Sequence, residues 1–171
     1  MQDFNDTPFF TKNIHEQGIK FRPDYESTLK KLNKIRPEQA DRLVHEAHAE
    51  AIENIDCLSC ANCCKTTSPA IYERDIDRLA KRLRMKPSQF IDKYLDKDQV
   101  DHCYVLKSSP CVFLDAENYC TVYDDRPTAC RTYPHTDRKR VTQINKVTLN
   151  NTLICPAVQH ILEKVAQKLN K

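Results

Sequence analysis

Glycine is almost absent: Gly18 stands alone in 171 residues. The dinucleotide fingerprint, the P-loop and the GxSxG nucleophile elbow each need several glycines for close backbone approach or a sharp turn, so the common chemistries built on them are excluded. No apolar run approaches the roughly 20 residues that a membrane-crossing helix requires. The first ten residues, with Asp3, Asn5 and Asp6, offer no basic start, apolar stretch or small-residue cleavage site, so no secretory signal is expected. An excess of one charge is also missing, because 27 Lys and Arg face 24 Asp and Glu, interspersed, for a net charge of +3. That balance speaks against a dedicated nucleic-acid face. A cytoplasmic protein with no membrane and no nucleic-acid partner is the expectation.

Cysteine is what the chain has in quantity. Four of its nine cysteines, Cys57, Cys60, Cys63 and Cys64, fall within eight residues and are followed by Lys65. Cys103, Cys111, Cys120, Cys130 and Cys155 come later, and no Gly or Pro run separates them into another unit. In a reducing compartment cysteines stay as thiols. Nine is an odd number, and adjacent Cys63 and Cys64 cannot form an unstrained disulfide with each other, so metal ligation fits better than a disulfide framework.

The rest of the chain reads as scaffold. Residues 1–24 carry irregularly spaced Phe4, Phe9, Phe10 and Phe21 and are expected to form an N-terminal arm, with residues 25–171 as a single domain. Tyr25, Leu29 and Leu32 predict a short helix stopped before Pro37, which opens the next. Ala40, Leu43, Val44, Ala47, Ala51 and Ile55 recur at helical spacing and predict a helix from Pro37 to Ile55 that delivers the chain to Cys57. Asp41, His45 and His48 share a face of that helix, yet histidines beside many carboxylates on an amphipathic helix are usually solvated, and no Glu-x-x-His pair of the di-iron type occurs. They are left out of the site. Helices are predicted from Glu73 to Arg84 and from Pro87, where Phe90, Ile91, Tyr94 and Leu95 form the apolar stripe. A strand is predicted between His102 and Lys107. Two more, Cys111–Leu114 and Cys120–Tyr123, are predicted to make a hairpin around the turn-forming Asp115-Ala116-Glu117-Asn118. Pro127 and Pro134 bracket a single helical turn holding Cys130. Arg138-Lys139-Arg140 is read as a solvated loop triplet. Cys155-Pro156 opens the last helix, with Val158, Ile161, Leu162, Val165 and Leu169 on one face.

A cysteine at a helix N-terminus faces free N–H groups and the positive end of the dipole, which favours the thiolate that a metal needs. Cys155, and Cys130 in its turn, have that placement. Cys103 lies on a strand-like stretch without a partner at ligand spacing and is set aside. Eight thiols remain, Cys57, Cys60, Cys63, Cys64, Cys111, Cys120, Cys130 and Cys155, enough for two four-cysteine sites. The C-x2-C-x2-C spacing matches the first three ligands of a ferredoxin-type run, and Cys155-Pro156 supplies a remote Cys-Pro of the kind that ends one. Zinc ribbons use two separate C-x2-C pairs, absent here, so an iron–sulfur cluster is favoured over zinc without excluding it. The adjacent Cys63 and Cys64 point in different directions and can feed two centres. Lys65, Arg126 and Arg131 sit beside ligands in sequence and are placed to offset thiolate charge and hydrogen-bond the sulfurs, unless ordinary salt bridges to Asp115, Asp124 or Asp125 take them.

Cys57-x2-Cys60-x2-Cys63-Cys64, Cys111-Val112-Phe113-Leu114-Asp115, Cys120-Thr121-Val122-Tyr123, Arg126-Pro127-x2-Cys130-Arg131-x-Tyr133-Pro134 and Cys155-Pro156 together resemble the YkgJ-like cysteine-cluster (CxxCxxCC) family over roughly residues 55–160. The resemblance implies a protein that chelates zinc or iron. A similar cysteine-cluster domain occurs in flagellin lysine methylases, so it also leaves open an enzyme or enzyme-accessory role. A zinc-dependent nucleic-acid or protein-binding module is the remaining class, for which only Arg138-Lys139-Arg140 speaks. The expected fold is mainly α, with a small irregular β-hairpin element, organised around a cysteine-ligated metal centre. The expected role of the metal is structural or redox, with any redox or protein partner unspecified.

Overall fold

A computed structural model describes residues 13–99 and 103–170. The described chain is mainly helical, with one two-stranded antiparallel sheet. It divides into two compact units, one made of Met1–Cys57 with Pro134–Lys171 and the other of Leu58–Tyr133. Phe4, Phe9 and Phe10 of the expected N-terminal arm lie outside the described residues.

The first unit is a helical core. It contains α1 (Ile14–Lys20), α2 (Arg22–Leu32) and α3 (Pro37–Asn54). Its C-terminal part adds a 3-10 turn (Val141–Ile144), α9 (Asn145–Asn151) and α10 (Pro156–Leu169). Pro37 and Pro156 stand in the first helical turn, where a missing N–H costs nothing and the fixed φ favours the start. Small Ala40, Ala47 and Ala51 on α3 share one core with Tyr25, Leu29, Val158, Ile161, Leu162 and Val165. Small side chains at that spacing let helices approach closely while the branched residues fill the groove. Gly18 is needed for the same reason: a Cβ there would lie 2.6 Å from the Thr152 carbonyl oxygen. The Asp41, His45 and His48 face of α3 holds a loop of the same unit. Asp41 accepts the Arg140 and Val141 N–H groups at 2.7 and 2.8 Å. His45 Nε2 lies 2.9 Å from the Arg138 carbonyl, and His48 Nδ1 lies 2.8 Å from Thr136 Oγ1.

The second unit is more irregular. A one-turn helix, α4 (Cys57–Cys60), straddles its start, and α5 (Asn62–Thr66) follows. Ala61 between them has φ 44°, a left-handed conformation that turns the chain sharply inside the cysteine cluster. Then come α6 (Glu73–Arg82), α7 (Pro87–Tyr94), β1 (Leu95–Lys97), β2 (Tyr104–Leu106), a 3-10 turn (Tyr123–Asp125) and α8 (Thr128–Arg131). Strands β1 and β2 pair Leu95 with Leu106, Asp96 with Val105 and Lys97 with Tyr104. Ile71, Ile76, Leu79, Phe90, Leu95, Leu106, Phe113 and Val122 form this unit's core.

Two expectations change here. The hairpin of Cys111–Leu114 with Cys120–Tyr123 is reduced to a single bridge, Leu114 with Cys120, plus a 2.8 Å bond from the Thr121 N–H to the Phe113 carbonyl. The reason is where the backbone donors go. The Cys111 N–H donates to the Cys64 carbonyl at 2.9 Å, the Leu114 N–H turns back to Cys111, and Tyr123–Asp125 winds into a 3-10 turn. The reversal itself is as expected, with Asp115 Oδ1 accepting the Glu117 and Tyr119 N–H groups at 3.0 and 2.7 Å. The regular sheet partner of Tyr104–Leu106 is Leu95–Lys97, whose first residue, Leu95, reads in the sequence as the end of a helical stripe.

Candidate metal centre

Cys64, Cys111, Cys120 and Cys130 reach the second unit's cysteine region from three separate stretches of chain, and each is positioned by identifiable contacts. Cys64 lies on α5, and its carbonyl accepts the Cys111 N–H, so backbone ties the cysteine cluster to the Cys111 segment. Ser109 Oγ donates to the Lys65 carbonyl at 3.0 Å and holds the same junction. Phe113 fixes the segment after Cys111: its ring stacks on Phe90 at 6.3 Å and meets Tyr94 at 5.5 Å. Cys120 follows the Asp115 turn and packs, with Cys111, against the second unit's core.

Cys130 lies in α8, a helix of only four residues. A single turn is unstable by itself, because nucleation fixes several residues for one hydrogen bond. Pro127 at its N-cap position makes no side-chain capping bond. The missing acceptor comes from α6. Asp75 Oδ1 accepts the Thr128 N–H and the Thr128 hydroxyl, both at 3.0 Å. Arg78 pairs with Asp75 at 2.6 Å and donates to the Asp125 and Arg126 carbonyls at 3.1 and 2.9 Å. Sequence reasoning missed both residues. The available signal was a charge pair three apart on α6, interleaved with the core residues Ile76 and Leu79.

Electrostatics show which thiols share a neighbourhood. Burial, with the charges of Cys64, Cys111 and Cys120 added, pushes the Cys130 thiol up to about 12. Burial also raises Cys111, which feels Cys64 and Cys120, and raises Cys120, which feels Cys64. Cys64 moves the other way: a hydrogen bond with the Cys63 side chain, against burial and with help from the Lys65 charge, brings it down to about 7. Cys64, Cys111, Cys120 and Cys130 therefore form one mutually interacting set, with Cys63 beside it. Among the described residues, no three or more His, Cys, Asp or Glu side chains stand in metal-holding geometry. The donor chemistry nonetheless fits a soft or borderline cation, because several thiols whose ionised forms repel one another gain most from a shared positive charge.

The other candidates are placed as follows. Cys60 and Cys63 are half-buried in the second unit, and Cys57 is exposed at the end of the first unit's N-terminal stretch. Cys155 is the N-cap residue of α10 and packs against the first unit's core. Cys103 is buried, just before β2. Lys65 Nζ lies 3.5 Å from the Cys60 carbonyl. The Arg126 guanidinium sits 3.7 Å from the centroid of the Tyr123 ring, and its charge favours the thiolates of Cys120 and Cys130. Arg131 donates to the Arg126 and Asp124 carbonyls at 3.1 and 2.6 Å, where the sequence had offered sulfur or an Asp side chain.

A mainly helical chain with a cluster of thiols drawn from a tight C-x2-C-x2-C-C run and from distant turns defines a cysteine-cluster protein. The chain belongs to the CxxCxxCC family, described as a putative zinc- or iron-chelating domain, whose model matches residues 56–156, more than half of the sequence. No curated protein and no solved structure is significantly similar to the chain. No helix among the described residues is long and apolar enough to cross a membrane.

Proposed function

We propose that Cys64, Cys111, Cys120 and Cys130 bind one metal as a four-thiolate site whose role is to hold the irregular part of the second unit together. The observation that carries this reading is the backbone linkage of the segments that bear these thiols, the Cys111 N–H on the Cys64 carbonyl, the Leu114 N–H on the Cys111 carbonyl and the bridge of Leu114 with Cys120, and the effect of the thiols' charges on one another supports it. A closed set of four thiolates is the pattern of structural rather than catalytic metal sites, which keep a position open for substrate. Membership in a family described by zinc or iron chelation supports it. Cys57, Cys60, Cys63 and Cys155 stay candidate ligands of a second centre on sequence spacing, for which the ferredoxin-like C-x2-C-x2-C spacing favours iron–sulfur over zinc. Lys65 and Arg126 supply positive charge close to the thiolates.

The test is anaerobic purification followed by a visible spectrum and by joint measurement of iron, zinc and sulfide. Brown protein with matching iron and sulfide identifies a cluster, and colourless protein with stoichiometric zinc identifies a structural zinc site. Absence of all three contradicts the proposal. Cys103→Ser is expected to leave metal content unchanged, whereas Cys120→Ser lowers it. Equal loss in both would show that the choice of ligands is wrong.

A further inference from the structure

We infer that Asp75 and Arg78 are positioning residues for the metal ligand Cys130, acting through α8 rather than touching the metal. The inference rests on the four-thiolate reading above. Cys130 depends on the placement of a four-residue helix that has no local cap and begins after a proline. Asp75 reaches it across 53 residues of sequence and takes both the N–H and the hydroxyl of Thr128, two residues before Cys130. Its side chain is 3% exposed, and it makes a further 3.4 Å contact, from the Tyr72 N–H to Oδ2. A buried carboxylate with this many donors has one low-energy position, so the helix it caps inherits that position. Arg78 fixes the other side of the same segment: its Nε and Nη2 bind the carbonyls of Asp125 and Arg126, the residues just before Pro127. The pair thus grips the chain before and after Pro127 and sets where Cys130 presents its sulfur. Groups that orient metal ligands in this way typically contribute 10–100-fold to metal affinity.

The experiment uses the full chain under anaerobic conditions with Co2+ as the probe, read by thiolate-to-cobalt charge-transfer absorption and by competition with a chelator. Asp75→Ala is expected to weaken Co2+ binding by about 10–100-fold. It should also reduce the saturated thiolate absorption by about a quarter, one ligand of four. Asp75→Asn, which keeps an acceptor for Thr128, is expected to recover part of both. Arg78→Met, which keeps the aliphatic stem, is expected to weaken binding in the same direction and carries the test if Asp75→Ala fails to fold. In a Cys130→Ser background, Asp75→Asn is expected to cause no further loss of affinity.

Folded Asp75→Asn and Arg78→Met proteins with wild-type affinity and absorption would overturn the inference. So would an Asp75→Asn loss that persists undiminished in the Cys130→Ser background, since the pair would then act on general stability. A wild-type chain with no thiolate-to-cobalt absorption, or a Cys130→Ser chain that binds like wild type, would overturn the four-thiolate reading itself.

Discussion

The two units reach order by different means. In the first, long amphipathic helices bury Val44, Ala47, Val158, Ile161, Leu162 and Val165 in one apolar core, and only Cys57 and Cys155 belong to it. The second holds the other seven cysteines. It has its own core around Phe90, Leu79 and Ile71, but from Lys107 to Tyr133 its regular structure is a 3-10 turn and the four residues of α8. There, polar groups set the chain: Asp115 ties its turn, Asp75 caps α8, and Arg78 and Arg131 bind carbonyls. Apolar periodicity is enough to specify the long helices of the first unit. The second combines a small core with point contacts, to which the proposed metal would be added.

The sharpest way to break this contrast is to remove the metal. Ligands drawn from distant segments couple binding to folding, and structural zinc contributes about 10–16 kcal/mol of apparent binding free energy in zinc-finger peptides. Chelation should therefore abolish amide-exchange protection between Cys111 and Cys130 while α3 and α10 keep theirs. Equal loss in both units, or none in either, would remove the distinction.

Core truncation comes next in size. Leu162→Ala in the first unit, at 1% exposure, should cost about 2–5 kcal/mol by denaturant titration and leave metal content unchanged. Phe90→Ala in the second should cost about 3–5 kcal/mol and also weaken metal binding, because Phe90 supports Phe113 and the segment that carries Cys111. A metal affinity indifferent to Phe90→Ala would show that the core and the thiol set are independent.

Smaller effects probe the first unit alone. Gly18→Ala should destabilise it by about 1–3 kcal/mol, since the added methyl meets backbone at Thr152 that cannot swing aside. Thermal unfolding monitored by helical signal checks this, and an unchanged midpoint would contradict the close packing. The least effect is expected from pH. Burial holds the His160 imidazole below its ordinary 6.5, against the pull of Glu50 at 3.4 Å. A histidine with a depressed folded pKa takes up its proton more readily when unfolded, so its contribution is present above 6.5 and declines as pH falls below that value. His160→Gln should flatten stability against pH in that acidic range. An unaltered slope would show that another group governs it.

These differences also explain what the sequence made legible. Helices opened by Pro37, Pro87 and Pro156 and carrying apolar stripes at helical spacing are plain in the sequence, and each forms with those starts. Strand pairing was not legible. Leu95 continues the stripe of α7 and so reads as helix, while the runs Cys111–Leu114 and Cys120–Tyr123 on either side of a turn-forming stretch read as a hairpin although their backbone donors are largely committed elsewhere. The cysteines stand out by type and spacing, but nothing in that spacing tells which of them share a neighbourhood. That grouping depends on Phe113 stacking against Phe90 and on Asp75 holding α8, contacts spanning 23 and 53 residues that only the folded chain reveals.

Two quadruple serine variants, compared for bound metal after anaerobic purification with sulfur ligation read from X-ray absorption at the metal edge, separate the four proposed ligands from the other candidate thiols. One replaces Cys57, Cys60, Cys63 and Cys155, and the other replaces Cys64, Cys111, Cys120 and Cys130. The first variant is expected to retain one metal with four sulfur ligands, at about 2.3 Å if the metal is zinc, and the second to lose that site. Loss of all metal from the first variant, or an unchanged four-sulfur site in the second, would contradict the four-thiolate reading.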